Sequence, residues 1–158
     1  MNEFKPMIEN IKPIGRVMQK DNALWMCYSA TGVAFQFTGK SLSIVLSGDD
    51  RAESEGMEEN LARVKIYVDG NCTKDLMMNE KEKQVSVIND DVINDHLVEV
   101  LKVSESAMST VTLKSILADD EAVIQPAEKK SRIIEFAGDS ITCGYGVDDE
   151  VAEHSFKT

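Results

Sequence analysis

The sequence predicts a mainly β fold: an antiparallel jelly-roll β-sandwich over most of its length, followed by the first strand–turn–helix of an α/β domain. From Ile11 to about Ile124, short runs alternate apolar and polar residues with period two, which sends successive side chains to opposite faces of a pleated sheet. Helical periodicity is almost absent from this stretch and turn-forming clusters separate the runs, so about eight to ten short strands are expected. At Arg132 the pattern changes. Ile133, Ile134, Phe136 and Ala137 make a nearly continuous apolar run, as in a strand buried on both faces of an α/β sheet.

The elements follow in order. A strand is expected over residues 23–28, where Trp25 sits among Leu24, Met26 and Tyr28 and reads as a packed side chain. Val33, Phe35 and Phe37 alternate with Ala34, Gln36 and Thr38, and after Gly39-Lys40 the pattern resumes as Leu42, Ile44 and Leu46 against Ser41, Ser43 and Ser47. Val64, Ile66 and Val68 alternate with Arg63, Lys65 and Tyr67 and run into Asp69-Gly70, a dipeptide that tolerates the positive φ angles of a tight hairpin. Further strands are expected at 75–78, 84–88, 96–103 and 111–117. One face of each is apolar and the other wet, which suits two sheets stacked with their apolar faces together. The stretch 119–131, with Pro126 and the charged Glu128-Lys129-Lys130, connects the two parts. The layout is a sandwich over 1–125, a linker over 126–131 and the start of the α/β domain over 132–158. That last part is expected to be truncated. Its strand at 132–137 would then lack parallel neighbours and would be disordered, pack onto the sandwich or self-associate.

With 158 residues and 42% hydrophobic content, the chain can bury one substantial core. The net charge of −11 repels phosphate backbones and anionic lipids, so neither nucleic acid nor a membrane is an expected partner. No run of apolar residues is long enough to span a bilayer, and the start Met1-Asn2-Glu3-Phe4-Lys5-Pro6 is not a secretory leader. This favours a cytoplasmic protein over an exported one whose leader has been removed. Cys27, Cys72 and Cys143 are too widely spread for a zinc site or a disulfide framework and read as reduced thiols.

The residues that carry chemistry begin at Gly138. A serine is a weak nucleophile unless a base can take its proton and N–H groups can meet the developing oxyanion. With Gly138 turning the strand sharply, Ser140 falls in the first turn of a helix beginning around Ile141, where its own backbone N–H is an oxyanion donor. Asp139 holds the turn by bonding local backbone groups. This is not the Gly-x-Ser-x-Gly elbow of the common α/β hydrolases.

Gly138-Asp139-Ser140-Ile141-Thr142 resembles the first block of the SGNH, or GDSL-like, hydrolases. The longer string through Cys143-Gly144-Tyr145-Gly146 is similar to carbohydrate esterase family 2, in which an N-terminal jelly roll precedes an SGNH catalytic domain. The likeness extends to Ile14-Gly15-Arg16, Phe37-Thr38-Gly39-Lys40-Ser41-Leu42, Tyr67-Val68-Asp69-Gly70 and Ala107-Met108-Ser109-Thr110-Val111. The resemblance implies a serine esterase removing acetyl groups from plant polysaccharide such as xylan or glucomannan, with Ser140 as nucleophile and its N–H as an oxyanion donor. It needs no metal or cofactor. In that family the base histidine, a glycine and an asparagine come from later blocks, so the 158 residues alone are expected to be inactive. The alternative is a carbohydrate-binding or structural β-sandwich module without catalysis of its own.

Other residues read more plainly. His96 and His154 are expected at the surface. Asp49-Asp50, Glu53, Glu55 and Glu58-Glu59 lack the regular spacing of a calcium loop and read as a solvated connection. Cys143 reads as a packed thiol, and Gly138, Gly144 and Gly146 are not followed by the Lys-Ser/Thr pair of a phosphate loop.

Overall fold

Two long strands organise the molecule. The computed structural model describes residues 1–53, 61–105, 109–129, 131, 132, 134, 137–139, 141 and 142. Among them are ten strands: β1 (Asn2–Phe4), β2 (Lys12–Ile14), β3 (Val17–Lys20), β4 (Ala23–Met26), β5 (Thr31–Gly48), β6 (Arg63–Val68), β7 (Asn71–Met77), β8 (Glu82–Lys102), β9 (Val111–Ala118) and β10 (Val123–Pro126). A 3-10 turn, Asp50–Glu53, follows β5. β5 has 18 residues and β8 has 21, and they pair antiparallel from end to end.

On its other edge, the first half of β5 pairs with β2 and β10 and the second half pairs with β9. β9 in turn carries β4 beside Val111–Leu113 and β1 beside Ile116–Ala118. The result is one continuous antiparallel sheet in the order β3-β4-β9-β5-β8-β6-β7, curled so that its two halves share a single core. The expected pair of separate sheets is therefore corrected, because β5 and β8 run through both halves. Phe35, Phe37, Leu42, Ile44, Leu46, Val64, Ile66, Val98, Val100, Leu113 and Ile116 are buried in this core. Each large side chain there contributes about 1.5–3 kcal/mol by leaving water.

The alternating runs around 33–37 and 42–47 are one strand, and so are those at 84–88 and 96–103. A bulge makes this possible. Inward residues are odd-numbered before Gly39 (Val33, Phe35, Phe37) and even-numbered after it (Leu42, Ile44, Leu46), and the register shifts between Gly39 and Ser41. The Asp119 carboxylate accepts from the Lys40 N–H at 2.7 Å and the Ser41 N–H at 3.0 Å, so the bulged amides are satisfied and the strand continues. Gly39 has no space for a side chain, since a Cβ would lie 2.6 Å from the Phe37 ring and 2.7 Å from Asp119. On the β8 side, Gly39 opposes Asn94 while Ser41 opposes Asn89, so residues 90–93 fall outside the register with β5.

The Asp69-Gly70 hairpin forms as expected, with φ of +52° and +80° between Val68 and its partner Asn71. A second two-residue loop joins β3 to β4, where Asp21 and Asn22 take φ of +55° and +57° between Lys20 and Ala23. The short β1, β2 and β3 show no clear alternation in the sequence and are held by pairing with longer strands. Val123–Pro126, within the connecting stretch 119–131, is strand β10. Lys102 is fully buried at the end of β8, its Nζ donating to the carbonyls of Ser104 at 2.5 Å and Glu105 at 3.0 Å. Burial pulls its pKa down to about 8.

No α-helix occurs among the described residues. Ile141 and Thr142, where the sequence suggests a helix start, form a turn. Of the apolar run, Ile133 and Phe136 lie outside the described residues.

Candidate functional site

Ser140 itself lies outside the described residues, while its neighbours Gly138, Asp139, Ile141 and Thr142 lie within them. Asp139 Oδ1 accepts from the Ile141 N–H at 3.0 Å and from the Thr142 N–H at 3.3 Å, with the Thr142 hydroxyl at 3.5 Å. One carboxylate oxygen thus collects two consecutive amides, the bonding pattern of an N-cap or Asx turn. Gly138 lies against Thr142, where a Cβ would come 2.1 Å from Oγ1 and 2.4 Å from the threonine Cβ. All of these bonds are local. Ile134 and Ile141 are 71% and 86% exposed, so neither side chain packs into the sandwich core.

The other candidates differ from their sequence readings. His96 is corrected from a surface residue to a partly buried one. Its Nδ1 lies 2.7 Å from Asp69 Oδ2, its Nε2 lies 3.0 Å from Asp90 Oδ2, and its ring stacks on Phe37 with centroids 6.5 Å apart. A neutral imidazole has only one N–H, so both contacts are hydrogen bonds only when the ring is protonated. Burial opposes that charge, but Asp69 and Asp90 outweigh it and raise the pKa above the ordinary histidine value. Asp69 also accepts from the Leu97 N–H at 2.8 Å, which stitches the β6–β7 hairpin to β8. With both nitrogens engaged, His96 is a structural clasp.

Trp25 is corrected from a packed side chain to one that is 37% exposed. Leu24 and Met26 point into the core, so the same alternation places Trp25 on the outer face. It lines a cleft of about 400 Å³ together with Lys20, Asp21, Ser47, Asp50, Thr112 and Lys114. The parity of β4 was the available signal for its exposure, whereas the residues around it come from three separate stretches of sequence and share no sequence motif.

Asp49, from the acidic run, accepts from the Thr110 N–H at 2.8 Å and ties the end of β5 to the approach of β9. Glu55, Glu58, Glu59, Cys143, Gly144, Gly146 and His154 lie outside the described residues. Cys27 and Cys72 are free thiols.

Residues 13–127 match the family model of the carbohydrate esterase 2 N-terminal domain. An acetylxylan esterase / glucomannan deacetylase of Cellvibrio japonicus (strain Ueda107) is 22% identical over 144 residues, which are 91% of this chain and 38% of that protein. The structure of a family two carbohydrate esterase from Cellvibrio japonicus superposes with a TM-score of 0.71 at 17% identity, covering 99% of this chain and 44% of the other. A family two carbohydrate esterase from Clostridium thermocellum in complex with cellohexaose gives a TM-score of 0.69 at 24% identity, over 86% of this chain and 39% of that one. The chain thus spans well under half the length of these relatives. Because the family model covers most of the described sheet, from β2 through β10, this chain belongs to the carbohydrate esterase 2 N-terminal family.

Proposed function

We propose that these residues are the N-terminal part of an SGNH-type serine carbohydrate esterase that removes acetyl groups from a plant polysaccharide such as xylan or glucomannan. The observation that carries this is one of order: a carbohydrate esterase 2 N-terminal domain over residues 13–127 is followed directly by the Gly138-Asp139-Ser140 block. Ser140 Oγ attacks the acetyl carbonyl carbon while a histidine takes its proton. The backbone N–H of Ser140 donates to the oxyanion, and the sugar hydroxyl leaves with the proton returned by the histidine. Water then cleaves the acetyl-serine and releases acetate. Gly138 and Asp139 act on the turn that presents Ser140, the glycine by admitting Thr142 at close range and the carboxylate by collecting two amides.

His96 does not serve as the base, because both of its ring nitrogens face carboxylates of the sandwich. The resemblance to carbohydrate esterase family 2 assigns the base histidine to a later block of the protein that carries these residues. Acetate release from acetylated xylan and acetylated glucomannan tests the reading. Ser140→Ala in that protein is expected to lower turnover about a thousandfold or more. Undiminished release by the alanine variant would rule the proposal out.

A further inference from the structure

Trp25 is the chain's single tryptophan, and it stands on the outside of the sheet. Pairing fixes its surroundings. Met18 on β3 lies opposite Trp25, Thr112 on β9 lies opposite on the other side, and Ser47 on β5 lies opposite Thr112, so these four residues form one row on the outer face. Met18 is 53% exposed and extends the apolar strip beyond the indole. Lys20 and Asp21, held by the tight β3–β4 loop, line one part of the cleft, while Asp50 lines it from the turn after β5 and Lys114, ion-paired with Glu82, from β9. Trp25 with polar groups around it lines an open concavity of about 400 Å³, within the volume range of small-ligand clefts.

We propose that the cleft over Trp25 is a glycan-binding site that takes a short run of a neutral, β-linked polysaccharide, separate from the catalytic serine. A pyranose ring offers an apolar C–H face matching the indole, and Lys20 and Asp21 at the edge of the cleft offer its equatorial hydroxyls a donor and an acceptor. A protein partner would call for an apolar patch larger than one indole and one methionine provide. Carboxylates in the lining and the net charge of −11 disfavour a polyanionic chain.

Because Trp25 is the only indole in the chain, its emission reports this site alone. Titrating the 158-residue chain with xylohexaose, cellohexaose and mannohexaose is expected to give a saturable change in tryptophan fluorescence with at least one of them. In native gels containing xylan, glucomannan or hydroxyethylcellulose, migration is expected to be retarded in the matching gel. Trp25→Ala should weaken retention about tenfold or more, Trp25→Tyr should keep part of it, and Asp21→Asn, which preserves the turn, should weaken it without changing the circular dichroism spectrum. Ser140→Ala should leave retention unchanged, which separates this site from the esterase proposal. The inference is overturned if all three hexasaccharides leave the emission of the folded wild-type chain unaltered, or if Trp25→Ala is retarded as strongly as wild type.

Discussion

The sheet and the serine block are held in opposite ways. In the sheet, a residue's position is set by partners far along the chain: Phe37 faces His96 across β5 and β8, Lys40 is bonded by Asp119, and Asp69 is bonded by Leu97. In the serine block, every described bond spans two or three residues and the flanking isoleucines are exposed. Long-range closure resists change because many contacts must fail together, while a local turn only aims a few atoms. Substitutions in the sheet should therefore alter stability, and substitutions in the block should alter chemistry while leaving stability alone.

The largest effect expected from this contrast belongs to Ser140→Ala, whose thousandfold loss of acetate release should come with an unchanged thermal midpoint. The converse is Phe37→Ala. Removing a fully buried ring at the centre of β5 should cost about 3–5 kcal/mol in denaturant unfolding, from lost transfer energy and the cavity left behind. A fall of less than about 1 kcal/mol would mean that the two halves of the curled sheet do not share one core.

Asp119→Ala tests the joint between those halves. It leaves the Lys40 and Ser41 amides without their carboxylate and should cost about 1–2 kcal/mol. The two bulged amides hold the Asp119 carboxyl below the ordinary aspartate value, the Ser41 bond contributing most. A lowered carboxyl stabilises the fold above its unfolded pKa and ceases to do so as pH falls through the folded value. Wild type and Asp119→Ala should therefore converge in stability under acid, as parallel urea titrations would show.

This joint also marks where the sequence stops being legible. The flip from odd to even inward residues across Gly39 is visible in the chain, and it is consistent either with two strands or with one bulged strand. What decides between them is Asp119, which lies far away in sequence and can satisfy the bulged amides only once β9 has come alongside. Lys102 poses the same difficulty. Alternation places it inward with Val98 and Val100, yet the carbonyls that receive its ammonium group belong to the following turn and meet it only in the folded chain. Trp25 could have been assigned to the outer face from the parity of its neighbours, but the preference for burying a large aromatic ring overrode that cue. The Asp139 turn beside Ser140 was legible because its bonds span two or three residues. The Trp25 cleft was not, because β3, β4, β5 and β9 must pair before its lining exists.

The smallest expected effect concerns the clasp that fastens the hairpin to β8. Asp69 and Asp90 both approach the His96 ring, and only the imidazolium bonds both at once. Because the folded pKa of His96 is raised from 6.5, its contribution is complete below that value and is lost as pH climbs through the folded one. Asp69 and Asp90 are lowered from 3.8, Asp69 chiefly by the His96 bond and Asp90 chiefly by Asn94, so their contribution fades in acid. The clasp is therefore strongest between the two limits. Thermal midpoints measured from about pH 5 to pH 8 should fall for wild type relative to His96→Gln, which cannot titrate and keeps only one of the two bonds. The local nature of the serine block supplies the matching control: Asp139→Asn, whose described bonds lie within its own turn, should run parallel to wild type across the same range. If both variants instead track wild type, the two carboxylates do not hold the histidine in its charged form.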